Sequence, residues 1–398
     1  MTDQNPFPLA GVRVLEFGQI AAGPFAGSLL ADLGADVVKI ERPDGGDGMR
    51  SWPPLRQSNT NEPAYSENFA SLNRNKRSMA VDLKDEKSVA RLVELASVAD
   101  IIVENFRPGV LSRLGLGYEA LSAGNTKLIY CSISGYGQTG PNAKKGAFDV
   151  TVQAYSGLMS VTGEPQGGPV KCGVPVADFC AGLYAGYTIL AQLLQARQSG
   201  QGAYIDCSML GSLIGVAALQ TSEYFGTDKA PRPLGSAHPR NAPYRAFRAN
   251  DEHFVIAAGN DRLWAEVAQA VGRPELIDDP RFASQNERAK NQDAMFNLLQ
   301  PEFEKQSAEY WLTEMDRRGV PCSPILNYPE VLQEEQVSHM NLVRELELPN
   351  GAQTRTTAFP ISMSGYEFEI YRTPPTLGAD TEEVYNEWMN GPAVSVTK

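Results

Sequence analysis

Short apolar runs alternate with amphipathic segments of helical length along the first 200 residues of the chain. Residues 12–17 predict a strand, the helical pattern that begins at Pro24 stops at Gly34, and residues 37–40 predict a second strand. Further strands are predicted at 78–83, 101–103 and 128–133, with a helix at 86–98. Strands that alternate with helices form a parallel sheet covered on both faces, with ligands at the carboxyl ends of the strands. We therefore expect an α/β fold with a doubly wound large domain.

A second region begins where the composition changes. Residues 226–250 are rich in Gly, Pro, Arg and short polar side chains, which is typical of an extended segment between domains. A strand at 254–257, helices at 263–271, 286–305 and 308–317, and a short last helix at 381–389 are predicted beyond it. We predict a large domain of residues 1–225, to which residues 331–398 return, and a small α/β domain of residues 226–330 with crossing linkers.

Charge and hydropathy narrow the classes of partner. The chain carries 35 basic and 47 acidic side chains, so its formal charge is 35 − 47 = −12, and it has no Lys/Arg-rich tract. General attraction to nucleic acid or to an anionic membrane is therefore not expected, and an anionic ligand needs a local basic site. The longest apolar stretch, residues 179–194, is shorter than the ~20 residues that span a membrane. The N-terminal residues show no export signal, so we expect a cytoplasmic protein.

The sequence contains none of the common motifs of metal sites or of activated nucleophiles. The five cysteines (Cys131, Cys172, Cys180, Cys207 and Cys322) form no C-x-x-C pair and no Cys/His cluster with metal spacing. We expect reduced, buried thiols and no metal site. There is no G-x-S-x-G, H-E-x-x-H, Walker or EF-hand motif, and His238, His253 and His339 are the only imidazoles.

The glycine-rich segment GYGQTG, residues 135–140, has the G-x-G-x-x-G spacing of a pyrophosphate loop. Pro141 and the residues after it do not begin an apolar periodic helix, and no acidic residue lies about 20 positions further on, where a ribose-binding acid belongs. The sequence favours a glycine-rich turn beside a ligand over a dinucleotide site.

Asp178 lies where a Gly/Pro-containing loop, KCGVPVAD, meets the apolar helix at 179–194. This is an N-cap position, where backbone N–H groups without partners converge, and most aspartates there only cap the helix. The functional alternative is a carboxylate nucleophile in an apolar setting, with the same N–H groups available to an oxyanion. The residue pattern alone leaves both open.

Six ordered blocks of sequence between residues 9 and 248 resemble the class III CoA-transferases (CaiB/BaiF type), a family that includes formyl-CoA transferase and α-methylacyl-CoA racemases. The blocks are LAGVRVLEFGQIAAGPFAGSLLADLGADVVKIERPDGGD, LNRNKRSMAVDL, ADIIVENFRPGVLSRLGLGYEAL, LIYCSISGYGQTGP, GVPVADFCAGLYAG and HPRNAPYRAF. The resemblance implies that Asp178 is the catalytic nucleophile. It also implies transfer of CoA from a donor thioester, with succinyl-CoA as the default, to a free organic acid through aspartyl anhydride and aspartyl-CoA thioester intermediates.

The resemblance places the CoA contacts on Arg42, Lys76, Asn105, Phe106 and Arg113. Cations form charge-assisted hydrogen bonds with phosphate, and an aromatic ring or guanidinium stacks on adenine, so these residue types suit CoA. They supply the local basic site that an acidic chain needs. Lys144 and Lys145 are further candidates for phosphate contact.

Two departures from relatives bear on the reaction and the substrate. Racemases of the family carry a His–Asp pair where this chain has Phe148 and Asp149, so the imidazole that would move an α-proton is missing. Ala21 stands where formyl-CoA transferase has a glutamine, and GSAHPRNAPY replaces its glycine lid. His238 and Arg240 of that segment are candidates for reading a second carboxylate of the substrate.

The resemblance also implies an intertwined homodimer and no permanently bound cofactor, with the CoA thioester as substrate. The alternative within the family is an α-methylacyl-CoA racemase or epimerase. A dinucleotide-dependent oxidoreductase and a non-catalytic CoA-binding protein are the alternatives from other classes.

Overall fold

The computed structural model describes residues 7–391; residues 1–6 and 392–398, the ends of the predicted large domain, lie outside this range. The strands are β1 (Arg13–Phe17), β2 (Asp36–Glu41), β3 (Leu55–Arg56), β4 (Tyr65–Ser66), β5 (Lys76–Ala80), β6 (Ile101–Glu104), β7 (Ile129–Ser134), β8 (Ala203–Ser208), β9 (Tyr244–Arg248), β10 (His253–Ala257), β11 (Cys322–Pro324), β12 (Val343–Glu347) and β13 (Gln353–Thr357).

The α-helices are α1 (Ala22–Asp32), α2 (Glu67–Asn73), α3 (Glu86–Val98), α4 (Val110–Arg113), α5 (Tyr118–Gly124), α6 (Asp149–Tyr155), α7 (Leu158–Val161), α8 (Val176–Ser199), α9 (Met209–Val216), α10 (Ala218–Thr227), α11 (Asp261–Ala270), α12 (Gln285–Lys290), α13 (Gln292–Phe303), α14 (Ala308–Arg317), α15 (Tyr328–Val331), α16 (Glu335–His339) and α17 (Thr381–Asn390). Short 3-10 helices lie at Gly48–Ser51 and Pro274–Leu276.

A six-stranded parallel sheet has the strand order β5-β2-β1-β6-β7-β8. From β1 the chain adds β2 and β5 on one side and then returns to add β6 on the other side, so the strand order reverses between β1 and β6. In doubly wound sheets the ligand crevice lies beyond the carboxyl ends of the strands at this reversal. The predicted α/β class and parallel sheet are confirmed, and the crevice falls at Phe17 and Glu104, where β1 and β6 end.

Alternate side chains of the central strands enter two different cores. Val14 and Val103 pack with α1 and α8 on one face, whereas Leu15 and Ile102 pack with α3 and α17 on the other. All four are fully buried, and burial of each such side chain stabilises the fold by about 1.5–3 kcal/mol. Strands buried on both faces are continuously apolar, which is why the sequence pattern located them.

The sequence pattern predicted the bounds or the number of some helices and strands incorrectly. The strand predicted at 78–83 is β5, which begins at Lys76 because Lys76 pairs with Val37 of β2. The single helix predicted at 286–305 is two helices, α12 and α13. β8 escaped prediction, because as the last strand of the sheet it has mostly half-buried or exposed side chains and no apolar run.

The chain forms two compact units. Among the described residues, unit 1 comprises 7–158, 171–228 and 335–391 and contains the parallel sheet. Its C-terminal helix α17 packs on α3 and β5, and Asp380 accepts a hydrogen bond from the backbone N–H of Ser78 (2.8 Å).

Unit 2 comprises residues 159–170 and 229–334. It contains the antiparallel sheet β11-β10-β9 with α11 to α14 and has its own core. Its short segment 159–170 lies inside the predicted large domain but pairs here with the chain after residue 228, through Gly235 N–H to the Gly163 carbonyl (2.9 Å). Within residues 7–391 no helix combines the length and apolar character needed to cross a bilayer.

Candidate active site

A cavity of about 330 Å³ lies in unit 1 beyond the carboxyl ends of β1, β6 and β7. Its wall includes residues 19–22 after β1, residues 105–108 after β6 and residues 133–135 at the end of β7. Asp178 and Asp149 complete the wall from α8 and α6. The strand reversal thus brings together segments that are far apart in sequence.

Asp178 is the third residue of α8 and does not cap it. The cap position is Pro175, which has no side chain that could accept a hydrogen bond. Among the described residues, none donates a hydrogen bond to the Asp178 carboxylate. Burial, and then the negative charge of Asp149, raise the pKa of Asp178 from 3.8 to about 7. Asp178 therefore does not cap α8, and the N-cap prediction is wrong.

The first-turn donors of α8 are largely occupied. Ala177 N–H donates to Oδ1 of Asp149 (2.8 Å), and Phe179 N–H donates to the Pro175 carbonyl (3.1 Å). The Ala177 N–H is therefore not available for the oxyanion-binding role that the sequence suggested for this helix end, whereas the Asp178 N–H has no acceptor among residues 7–391.

More available donors lie at the start of α1. Ala21 is the N-cap of α1 and provides no side-chain cap. The N–H groups of Ala21, Ala22 and Gly23 have no acceptor among residues 7–391, and Ala21 and Ala22 line the cavity that contains Asp178. A helix N-terminus carries partial positive charge and favours anions. The sequence signal for this site is a helix that begins AAGP, without Ser, Thr, Asp or Asn at the cap.

Asp149 connects α6 to the loop before α8. Gln153 donates through Nε2 to Asp149 Oδ2 (2.6 Å) and accepts through Oε1 from Cys172 N–H (2.8 Å). Phe148, at the position of the racemase histidine, is 70% exposed, and none of the described residues that line the cavity is a histidine. This arrangement offers no imidazole to exchange an α-proton.

Two of the expected CoA contacts have their polar groups committed elsewhere. Lys76 is buried, its ammonium lies 2.7 Å from Glu16 and donates to the Pro24 carbonyl (2.8 Å), and burial lowers its pKa to about 8. The Lys76 ammonium is therefore engaged by buried partners and does not face solvent, which corrects the expectation of a phosphate contact. Asn105 lines the cavity, but its side-chain amide pairs with both backbone groups of Gln19 (2.8 and 2.9 Å).

The other predicted residues divide by location. Phe106 lines the cavity with Ala21 and Asp178. Arg42 and Arg113 are exposed and outside the cavity wall, Arg42 at the end of β2 and Arg113 at the end of α4. Lys145 lines the cavity, as does Arg107, a cation that the sequence reading missed although it follows Phe106 directly.

His238 and Arg240 lie in unit 2, where the Arg240 N–H donates to His238 Nδ1 (3.2 Å). The His238 ring lies 5.0 Å from that of Tyr244. Both of these contacts join residues of unit 2.

The GYGQTG segment does not precede a helix. It follows β7, the Gln138 N–H donates to Asp206 (2.9 Å), and the next helix is α6, which begins at Asp149. A pyrophosphate loop requires a helix N-terminus at this place, so the dinucleotide alternative is not supported. Within residues 7–391 no group of His, Cys, Asp and Glu could hold a metal ion.

Comparison with known proteins agrees with the geometry. The sequence profile of CoA-transferase family III matches residues 9–381. The chain belongs to this family. A human succinyl-CoA:glutarate CoA-transferase is 39% identical over 384 residues, which cover 96% of this chain and 86% of the human protein. An acetyl-CoA:oxalate CoA-transferase of Acetobacter aceti is 37% identical over 372 residues, which cover 92% and 93% of the two chains.

The fold is shared with solved members of the family. The crystal structure of a CAIB/BAIF family protein from Brucella suis superimposes with a TM-score of 0.85 at 34% identity, covering 97% of this chain and all of that one. The protein is a CoA-transferase of family III.

Proposed function

We propose that Asp178 is the nucleophile of an acyl-CoA:carboxylate CoA-transferase. The observation that carries the proposal is a carboxylate without a hydrogen-bond donor that shares a cavity with the unengaged N–H groups at the start of α1. A carboxylate nucleophile splits a difficult acyl exchange into steps between thioesters and anhydrides of similar energy. The α1 N–H groups suit the oxyanion that forms at each attacked carbonyl.

Each of the four proposed steps is an attack on a carbonyl carbon that expels a leaving group. An oxygen of the Asp178 carboxylate attacks the donor thioester carbonyl, the C–S bond breaks, and a mixed anhydride and CoA thiolate form. The thiolate attacks the Asp178 carbonyl, giving aspartyl-CoA thioester and releasing the first acid with one oxygen from Asp178. The acceptor carboxylate attacks this thioester, its C–S bond breaks, and a second anhydride and CoA thiolate form. The thiolate then attacks the acceptor acyl carbon, so Asp178 is regenerated with one oxygen from the acceptor.

For CoA, we propose contacts from Arg42 and Arg113 to phosphate and from Phe106 to the thioester arm. Arg42 and Arg113 are exposed cations of the kind that bind phosphate, and Phe106 lies in the wall beside Asp178. We propose that Asn105 contributes to the cavity wall only, because its amide is already hydrogen-bonded to Gln19. We propose no CoA contact for Lys76, because its ammonium is buried in an ion pair with Glu16. No resident cofactor is needed, since the carboxylate and the CoA thiol supply the chemistry.

The proposed substrates are succinyl-CoA as donor and a small dicarboxylic acid as acceptor, with His238 and Arg240 as candidates for reading its second carboxylate. Support comes from the names of relatives, among them the human succinyl-CoA:glutarate enzyme and the acetyl-CoA:oxalate enzyme. Incubation with succinyl-CoA and a panel of free acids should yield one new acyl-CoA by mass spectrometry. Accumulation of free CoA alone would indicate a hydrolase instead.

Isotope transfer tests the nucleophile directly. With an acceptor acid labelled with ¹⁸O in its carboxylate, turnover should move ¹⁸O into the peptide that contains Asp178, and the peptide that contains Asp149 serves as the matched control. Asp178→Ala should abolish transfer while the circular dichroism spectrum is unchanged. Turnover without label at Asp178, or near-normal rates in the variant, would eliminate Asp178 as nucleophile.

We further propose a homodimer in the cytoplasm. Large apolar side chains are exposed on α8 and α10, including Leu183 (53%), Tyr187 (59%), Leu219 (61%) and Phe225 (77%), which supports a covered face. Light scattering after gel filtration should give twice the chain mass of 43.2 kDa; a monomer mass would refute the dimer. All five cysteines are free thiols, which suits a reducing compartment.

A further inference from the structure

The loop that joins β1 to α1 is held by side chains from three other places in unit 1. The Gly18 carbonyl accepts a hydrogen bond from Lys39 Nζ of β2 (2.7 Å). Both backbone groups of Gln19 pair with the Asn105 amide, and the Ile20 N–H donates to the Asp47 carboxylate (3.0 Å). Four consecutive polar backbone groups are thereby satisfied by side chains that are distant in sequence.

The same loop contains a strained residue. Ile20 has φ +65°, a left-handed conformation that a β-branched side chain rarely adopts. Such a conformation costs on the order of 1–3 kcal/mol and persists only where the surroundings impose it. The hydrogen bond from the Ile20 N–H to Asp47 acts on the strained residue itself, so Asp47 is the group that holds Ile20 in place.

Asp47 belongs to a buried cluster of charges. Lys39 Nζ lies 2.9 Å from Asp47 and 3.1 Å from Glu16, and all three side chains are at most 1% exposed. A buried ion pair is weak support for stability compared with apolar packing, because desolvation of the charges offsets their attraction. Its geometric effect is strong, however, since each charge fixes the position of its partner. Lys39 is itself fixed by β2, which lies beside β1 in the sheet.

The clamped loop leads directly into the active cavity. Ala21 and Ala22 follow Ile20, line the cavity with Asp178, and carry the N–H groups that have no acceptor among the described residues. A rotation about the backbone of Ile20 would turn these N–H groups away from the reacting carbonyl. Misplacement by about 1 Å far from the chemistry can lower a rate by roughly 10²-fold.

We propose that Lys39 and Asp47 are positioning residues of the transfer reaction, which hold Ile20 in its left-handed conformation and so aim the first turn of α1 at the carbonyl that Asp178 attacks. The inference rests on the proposed function, because it presumes that the reacting carbonyl lies between Asp178 and α1. Neither side chain touches the substrate, since both are buried beneath the loop.

The test compares Asp47→Asn with a matched buried pair away from the loop. Asp36 pairs with Arg77 (2.5 Å) in the same unit, and Arg77 is 1% exposed. Both Asp47→Asn and Asp36→Asn should lower the melting temperature. Asp47→Asn alone should lower kcat by about tenfold or more with KM for acyl-CoA changed by less than about threefold, because the lost contacts act in the transition state. Equal kcat in the two variants would overturn the proposal.

Two further variants separate positioning from folding. Asp47→Glu keeps the charge beside Lys39 but moves the carboxylate relative to the Ile20 N–H, so kcat should fall although the ion pair survives. Adding Ile20→Gly to Asp47→Asn removes the conformational cost and should restore kcat about threefold or more. Full activity of Asp47→Glu, or no rescue by Ile20→Gly, would contradict the role of Ile20.

Hydrogen exchange supplies a readout without turnover. The hydrogen-bonded amides of Gln19, Ile20 and Phe25 should exchange faster in Asp47→Asn than in wild type and not in Asp36→Asn. Unchanged exchange would overturn the clamp. An active Asp178→Ala variant would show that the proposed function itself is wrong. If Asp178→Ala is inactive while Asp47→Asn has a normal kcat, only the positioning role of Lys39 and Asp47 is refuted.

Discussion

As the proposed nucleophile, Asp178 meets two opposing demands. Attack on a thioester requires an ionised carboxylate with little solvation, but removal of water favours the protonated acid. Burial and the neighbouring charge of Asp149 place its pKa near 7, so both forms are populated at neutral pH. The absence of a donor to the carboxylate among the described residues keeps the oxygens available for the substrate.

The rate of transfer should depend on pH. In the proposed mechanism the ionised form of Asp178 attacks, so kcat/KM should rise with pH through about 7 and level off above it. Glu104 also has a pKa raised to about 7 by burial, and it lies at the end of β6. Glu104→Gln should therefore keep the midpoint near 7. A pH-independent kcat/KM between 5 and 9, or loss of the midpoint in Glu104→Gln, would reject the assignment to Asp178.

The same pKa predicts a stability effect. A carboxyl whose folded pKa lies above the unfolded value of 3.8 contributes stability that is lost as pH rises to about 7. Asp178→Asn lacks this loss, so its melting temperature should exceed that of wild type at pH 8, and the pKa difference between 3.8 and about 7 sets an upper bound of about 4 kcal/mol on the effect. Near pH 4 the difference should vanish. Thermal unfolding at both values checks the sign, and a lower melting temperature at pH 8 would contradict it.

At the scale of elements, the site depends on close contact between α1 and α8. A Cβ added at Gly182 of α8 would lie 2.7 Å from the Phe25 ring and 3.1 Å from the Ala22 carbonyl of α1. Because Gly182 has no side chain, the first turn of α1 can lie close to the start of α8, where Asp178 is located. Helix packing and site geometry are thus set by the same residues.

Gly182→Ala should therefore lower both stability and activity. Overpacking of this kind costs about 1–3 kcal/mol, and a displaced α1 would move the N–H groups of Ala21 and Ala22. Gly226→Ala in α10 is the matched control, because nothing lies within 4 Å of its added Cβ. Urea unfolding and steady-state kinetics measure both effects. Equal stability of the two variants would show that α1 yields without cost.

At the scale of the whole molecule, each compact unit has a core of its own. The core of unit 2 includes Phe254, Trp264 and Phe303, and all its members lie in that unit. A buried cation is part of it: Arg288 is 0% exposed and donates to the carbonyls of Ala242 (2.9 Å) and Phe282 (3.0 Å).

Arg288→Met should destabilise unit 2 selectively. The change leaves two carbonyls without donors and removes the ion pair with Asp261, and a cost of about 2–4 kcal/mol follows from the unsatisfied groups. Hydrogen exchange should accelerate at residues 242–322 and remain as in wild type in the parallel sheet. Arg281→Ala breaks an exposed ion pair with Asp279 and should change little. Acceleration spread evenly over both units would refute separate cores.

Sequence by itself determined the alternation of β1, α1 and β2, the α/β class and the candidacy of Asp178. These follow from local periods and from motifs within short segments, which neighbours along the chain decide. The family resemblance made Asp178 the preferred nucleophile, and the family is confirmed.

Tertiary structure alone decided which polar groups remain available. The sequence predicted Lys76 and Asn105 as ligand contacts. In the structure Lys76 forms an ion pair with Glu16, and the Asn105 amide forms hydrogen bonds with the backbone of Gln19. The N–H groups at Ala21 became candidates because Asp149 occupies a donor at α8 while none of the described residues caps α1. Such pairings join residues far apart in sequence. They depend on strand order and packing, which a local pattern does not contain.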